Sequence, residues 1–151
     1  MEVAPFFGLG VLISIALAAS WTDIRARVLP NWLVGLTLVS GLVFAYFAGD
    51  LDGVLYHSFH ALLALMIGFA LYGFKIWGAG DGKFYAAVSV WFGVTEALAL
   101  IVAITSIGLV LTVFAIIRNW GRLLSKQHSN IPYGVAIGFG AVLNLSREFL
   151  W

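Results

Sequence analysis

Two of the chain's seven acidic residues, Asp23 and Asp81, sit among basic residues at the ends of long apolar runs. Two carboxylates that share one site cannot both ionise cheaply, so one keeps a proton while the other serves as a base. Such a pair can take a proton from water and give another to a peptide carbonyl, which is hydrolysis without a metal. Gly78, Gly80 and Gly82 surround Asp81, and glycine opens unusual backbone angles and lets another backbone come close. The plain alternative is that Asp81 only caps a helix and Asp23 is a solvated loop acid beside Arg25 and Arg27. Spacing alone leaves both open.

The elements that must position these acids are membrane helices. Of 151 residues, 62% are hydrophobic and 10% charged, whereas soluble domains carry roughly 25% charged residues. Lipid is therefore the expected solvent, and a span needs about 20 residues. The apolar runs predict a first helix from Pro5 to Thr22 and a polar loop from Asp23 to Asn31. A second helix, opened by Pro30 and Asn31, runs from Trp32 to Ala48, and a third from Val54 to Phe74 follows a turn at Gly49–Gly53. The apolar stretch from Phe84 to Ile117 is too long for one span. Thr95 followed by Glu96 reads as the cap of a new helix, which leaves a short fourth segment, Phe84–Phe92, and a full-length fifth. Ile131-Pro132-Tyr133-Gly134 opens a sixth span to Phe149. The expected architecture is all-α: one polytopic membrane domain over residues 1–151, a bundle of about six transmembrane helices with a short, broken fourth.

The charges orient this map. With the N-terminus outside, Arg25, Arg27, Lys75, Lys83, Arg118, Arg122 and Lys126 fall in cytoplasmic loops, seven of the eight basic residues, as the positive-inside bias requires. Glu2, Asp50, Asp52, Glu96 and Glu148 fall on the other side. Only Asp23 and Asp81 share the basic face, one where the first helix ends and the other where the fourth begins. On that layout helix dipoles assign the base to Asp81, at an N-terminus, and the proton donor to Asp23, at a C-terminus. Met1-Glu2 offers no basic segment ahead of the first apolar run, so that run reads as an uncleaved helix.

Composition excludes several functions. There is no cysteine, hence no disulfide, thiolate nucleophile or cysteine-based metal site. A net charge of +1 argues against nucleic acid. His57 and His60 share one helix face at a spacing seen in metal sites, but the charge map puts them far from the aspartates, so interfacial hydrogen bonding is the expected role and no metal is assigned. Lys83 either steadies Asp81, meets an acidic substrate residue or snorkels to the interface. Arg25 and Arg27 read as topology anchors, and Gly134 with Gly138 as a close helix contact within the bundle. Trp21, Trp32, Trp77, Tyr133 and Trp151 fit interface belts.

Asp23-x-Arg25-x-Arg27-x-Leu29-Pro30-Asn31, followed by Gly78-Ala79-Gly80-Asp81-Gly82-Lys83 about fifty residues on, resembles the type IV prepilin peptidases, a family of GxGD aspartic proteases. Ile131-Pro132-Tyr133-Gly134 also looks like the family. The resemblance implies that Asp23 and Asp81 are the catalytic pair, with Gly78, Gly80, Gly82, Lys83 and Pro132 shaping the site. It implies cleavage of the leader of a prepilin or pilin-like protein at the cytoplasmic face of the inner membrane, with no cofactor. Larger members carry a cytoplasmic insertion with Cys-x-x-Cys pairs and methylate the new terminus. This chain has no cysteine and looks like the short, peptidase-only form of Flp (tight adherence) pili. The rival readings are a proton-coupled transporter using the same aspartates and a non-catalytic scaffold for pilus assembly. Oligomeric state stays open.

Overall fold

The computed structural model describes residues 3–118 and 132–147. Arg122, Lys126, His128, Glu2, Glu148 and the end of the sixth predicted span lie outside them. Among the described residues there are five α-helices and one 3₁₀ turn: α1 (Val3–Ala26), α2 (Asn31–Gly73), α3 (Ala79–Ser89), the 3₁₀ turn Val94–Glu96, α4 (Ala97–Arg118) and α5 (Tyr133–Arg147). Among the described residues three helices are long and apolar enough to cross a membrane: Phe6–Ala26, Asn31–Gly73 and Val94–Ile117.

α1 continues four residues past the expected Thr22 and carries Asp23 and Arg25 on helix rather than loop. No breaker precedes Val28-Leu29-Pro30, and a cation in the last turn suits the negative helix end. Arg27, at φ 54°, terminates α1, and Arg25 lies over the Trp21 ring at 3.8 Å. Pro30, at φ −67° and ψ 143°, then starts α2.

Unbroken, the 43 residues of α2 would reach ~65 Å, about twice a bilayer's hydrocarbon. The helix instead kinks where Gly49 (φ −162°, ψ 31°) and Asp50 (φ 52°, ψ −143°) leave helical geometry, the place of the expected turn. Gly53 permits the kink, since a Cβ there would lie 2.5 Å from the Ala45 carbonyl oxygen. Lys75, at φ 58°, follows the end of α2.

α3 starts five residues ahead of its apolar pattern. Gly78 holds an extended N-cap conformation, and the Asp81 carboxylate takes the Gly78 N–H at 3.0 Å. One orphan donor is thereby satisfied and the first turn nucleates there. At 11 residues, ~16 Å, α3 is too short to cross. It packs chiefly on α2, while α5 packs on α1 and α4. Phe84, Tyr85 and Val88 of α3, with Trp91 and Phe92 just beyond, join Leu12, Leu33, Leu100, Ile137 and Leu145 in the core. α4 begins after the 3₁₀ turn, and Gly93, not Thr95, caps that turn. The Thr95 hydroxyl is engaged by Tyr56 instead.

Candidate functional site

One end of the bundle collects the end of α1, the Val28–Pro30 link, the link from α2 to α3, and the starts of α3 and α5. Both singled-out acids are there. Asp23 is buried and Asp81 half-buried. Asp23 Oδ2 accepts the N–H of Gly134, in the first turn of α5, at 2.8 Å. Asp81 Oδ2 accepts the N–H of Gly78, at the N-cap of α3, at 3.0 Å. Each carboxylate thus faces the positive end of a helix, where negative charge is favoured. The dipole contrast expected from the sequence disappears: Asp23 stands on the last turn of α1, but α5 brings a helix N-terminus to it. Helix ends therefore do not separate a base from a donor.

Among the described residues no hydrogen bond engages Oδ1 of either aspartate. Burial pushes the Asp81 carboxyl above its ordinary pKa; the Gly78 N–H works against that rise, and the negative charge of Asp23 adds to it. The charge of Asp23 thus reaches Asp81. Arg27 also acts electrostatically on Asp23.

Leu29 holds the two halves of the site together. It is buried; a Cβ on Gly80 would touch its Cβ at 3.5 Å, and one on Gly134 would approach its Cδ2 at 3.0 Å. The glycines of the Gly78–Gly82 segment serve by leaving room, because no described glycine has a positive φ. Gly82 meets Gly68 of α2 backbone to backbone, a Cβ on Gly68 coming 2.8 Å from the Gly82 Cα. That crossing sets the depth of α3, and with it Asp81. Trp77 lies between the two helix starts, its ring 5.5 Å from Tyr85 and 6.1 Å from Tyr133. Pro132 precedes α5 and its carbonyl accepts the Val135 N–H at 3.2 Å. Lys83 is exposed, and no ion pair between it and Asp81 is present.

The sequence did not single out Leu29, Gly68 or the Gly134 N–H for this site. The first two are apolar residues among many. A proline at a helix start implies nearby N–H groups in need of partners, but nothing in one sequence says which acid, if any, they meet. His57 and His60 lie at the other end, where their Nδ1 atoms pair with the carbonyls of Val90 at 2.8 Å and Phe92 at 3.0 Å. The Gly134–Gly138 pair lies within the bundle: Gly138 rests on Ala16 of α1.

The type IV leader peptidase family matches residues 10–116, which include both aspartates and the glycines around Asp81. The chain belongs to that family. No curated protein and no solved structure matches it. Membership in a family of leader peptidases, together with three apolar helices long enough to span, makes the chain a membrane protein of peptidase type. The family match ends before α5, whose Gly134 supplies the donor to Asp23.

Proposed function

We propose that the protein is an aspartic endopeptidase that removes leader peptides from prepilins or pilin-like proteins at the cytoplasmic face of the inner membrane, with Asp23 and Asp81 as its catalytic pair. The observation that carries this reading is the matched tethering of the two acids. Each is held through Oδ2 by a backbone N–H at a helix start, and among the described residues no hydrogen bond takes Oδ1, the atom assigned here to water and substrate.

In the reaction the pair shares one proton. The ionised carboxylate takes a proton from water as the water oxygen bonds to the scissile carbonyl carbon, and the protonated one gives its proton to the carbonyl oxygen. A neutral gem-diol results. Its collapse breaks the C–N bond: the proton gained by the first carboxylate passes to the leaving amine, and the second carboxylate takes one back from a gem-diol hydroxyl, which leaves the carboxylic acid and restores the shared proton. The half-buried site strengthens both transfers by keeping bulk water away. No metal or organic cofactor enters.

The same reading takes the bundle as about six passes, the arms of α2 counting separately and α3, too short by itself, completing its pass only with residues 90–93 that follow it, with the N-terminus outside. Arg25, Arg27, Lys75 and Lys83 lie at the end that carries the aspartates, which supports a cytoplasmic site. Lacking the Cys-x-x-Cys insertion, the chain is a peptidase without methyltransferase activity. Gly78, Gly80, Gly82, Lys83 and Pro132 shape the entrance for an extended substrate.

Co-expression with a candidate prepilin tests the proposal by mobility shift. Wild type should convert precursor to mature pilin, while Asp23→Asn and Asp81→Asn should leave only precursor, with membrane insertion unchanged. Full processing by either variant rejects the pair.

A further inference from the structure

We infer that Gly134 is the positioning residue for Asp23: its N–H fixes Oδ2, and its missing Cβ gives the carboxylate the space it occupies. The inference deepens the peptidase reading and rests on it for its kinetic consequence. It extends the working site to α5, beyond the residues that the family match covers.

The geometry is specific. The Gly134 N–H to Asp23 Oδ2 distance is 2.8 Å, the length of a charge-assisted bond. A Cβ at 134 would stand 2.9 Å from that oxygen, 3.2 Å from the Asp23 Cβ and 3.0 Å from Leu29 Cδ2. Asp23 is fixed on the last turn of α1 and Leu29 is wedged against Gly80, so the carboxylate itself must swing. Four residues along, Gly138 supplies a control. A Cβ there would meet Ala16 at 3.0 Å from its Cα and 3.1 Å from its Cβ, crowding the same two helices without approaching either acid.

Gly134 and Gly138 therefore look alike as packing glycines and differ in chemistry. Gly134→Ala should lower kcat about 100-fold, the order expected when a catalytic group is displaced by an ångström, with KM nearly unchanged. Gly138→Ala should lower thermal stability comparably while keeping kcat close to wild type. Near-wild-type kcat in Gly134→Ala, or an equal loss in both variants, overturns the inference.

A second measurement needs no substrate. In 15N-glycine-labelled protein in micelles, the Gly134 amide should exchange with solvent about tenfold faster in Asp23→Ala, the equivalent of one lost hydrogen bond to a charged group. In Asp81→Ala it should stay as in wild type. An amide indifferent to Asp23→Ala overturns the inference. A wild-type protein that cleaves no prepilin sinks the peptidase reading instead, and the exchange result still decides the contact.

Discussion

The two ends of this bundle are held by different means. At the end opposite the aspartates, side chains tie α2 to the segment after α3. The Tyr56 hydroxyl lies 2.9 Å from Thr95 Oγ1 and accepts the Thr95 N–H at 3.2 Å. His57 and His60 pair with the carbonyls of Val90 and Phe92, and Asn144 donates to Glu96 at 3.2 Å. Trp91 donates to the Thr37 carbonyl at 3.1 Å and stacks on Phe44 with centroids 5.3 Å apart. At the aspartate end, among the described residues, the helices meet at Gly68 and Gly82 and around Leu29 and Trp77, and a helix-start N–H goes to each of the two acids. Directional bonds between side chains and the fold thus gather at one end and the two tethered acids at the other, although His60 Nε2, at the first end, is also buried with no hydrogen-bond partner among the described residues. Buried polar groups demand partners; each aspartate keeps one oxygen that no hydrogen bond among the described residues engages, as the proposed reaction requires.

The contrast breaks most visibly at Trp91. Its ring is buried and seated on Gly41, where a Cβ would come 2.8 Å from Trp91 Cδ1. Trp91→Ala should cost about 3–5 kcal/mol, read as a large drop in melting temperature in detergent. Any protein that still folds should keep its kcat, because no aspartate contact is lost. A fall in kcat at preserved fold would mean that the two ends are coupled.

Gly68 tests the other side. Gly68→Ala presses on the Gly82 backbone and should cost about 1–3 kcal/mol. Because Gly82 follows Asp81, cleavage of a prepilin should also fall, by about 100-fold if α3 moves an ångström. Stability lost with activity intact would show that the Gly68–Gly82 crossing does not set the height of Asp81.

Asp81 provides a reading of the pair itself. Burial, then the charge of Asp23, raises its pKa. Asp23→Asn removes that charge while leaving burial in place, so Asp81 should titrate at lower pH in the variant than in wild type, followed by carboxyl 13C NMR. Equal midpoints would show that the acids do not feel one another.

How much of this was legible beforehand follows a physical divide. Apolar runs and charge placement located the helices, because lipid demands long apolar segments and punishes charges within them. The kink at Gly49–Asp50 and the brevity of α3 were visible in the same way. Helix ends were less legible: nothing in hydropathy carries α1 through Asp23 and Arg25, and the start of α3 depends on an acid capturing the Gly78 N–H. Asp23 and Asp81 stood out as the only acids on the basic side. The donor that holds Asp23 was hidden, since its partner lies 111 residues away and a backbone N–H has no signature of its own. The glycine crossing at Gly68 was hidden for the same reason, being a contact between two backbones.

Tyr56→Phe should sharpen the comparison at smaller scale. It removes the hydroxyl that meets Thr95, at a cost of about 1 kcal/mol, with kcat unchanged. A matched loss of activity would contradict the separation of the two ends.

The smallest effect is expected at Asp50, in the kink of α2. At φ 52° and ψ −143° its backbone lies near a region that is essentially reserved for glycine, and such strain costs about 1–3 kcal/mol. Asp50→Gly relieves it but adds backbone freedom to the unfolded chain, worth roughly 0.5–1 kcal/mol the other way. The net should be a gain of about 1 kcal/mol, seen as a slightly higher melting temperature at unchanged kcat. Asp50→Ala separates backbone strain from loss of the carboxylate: it removes the charge but keeps the Cβ, and so should give no gain. Equal stabilisation by Ala and Gly would place the cost of this position in the charge of Asp50 at the end of the bundle and not in its backbone.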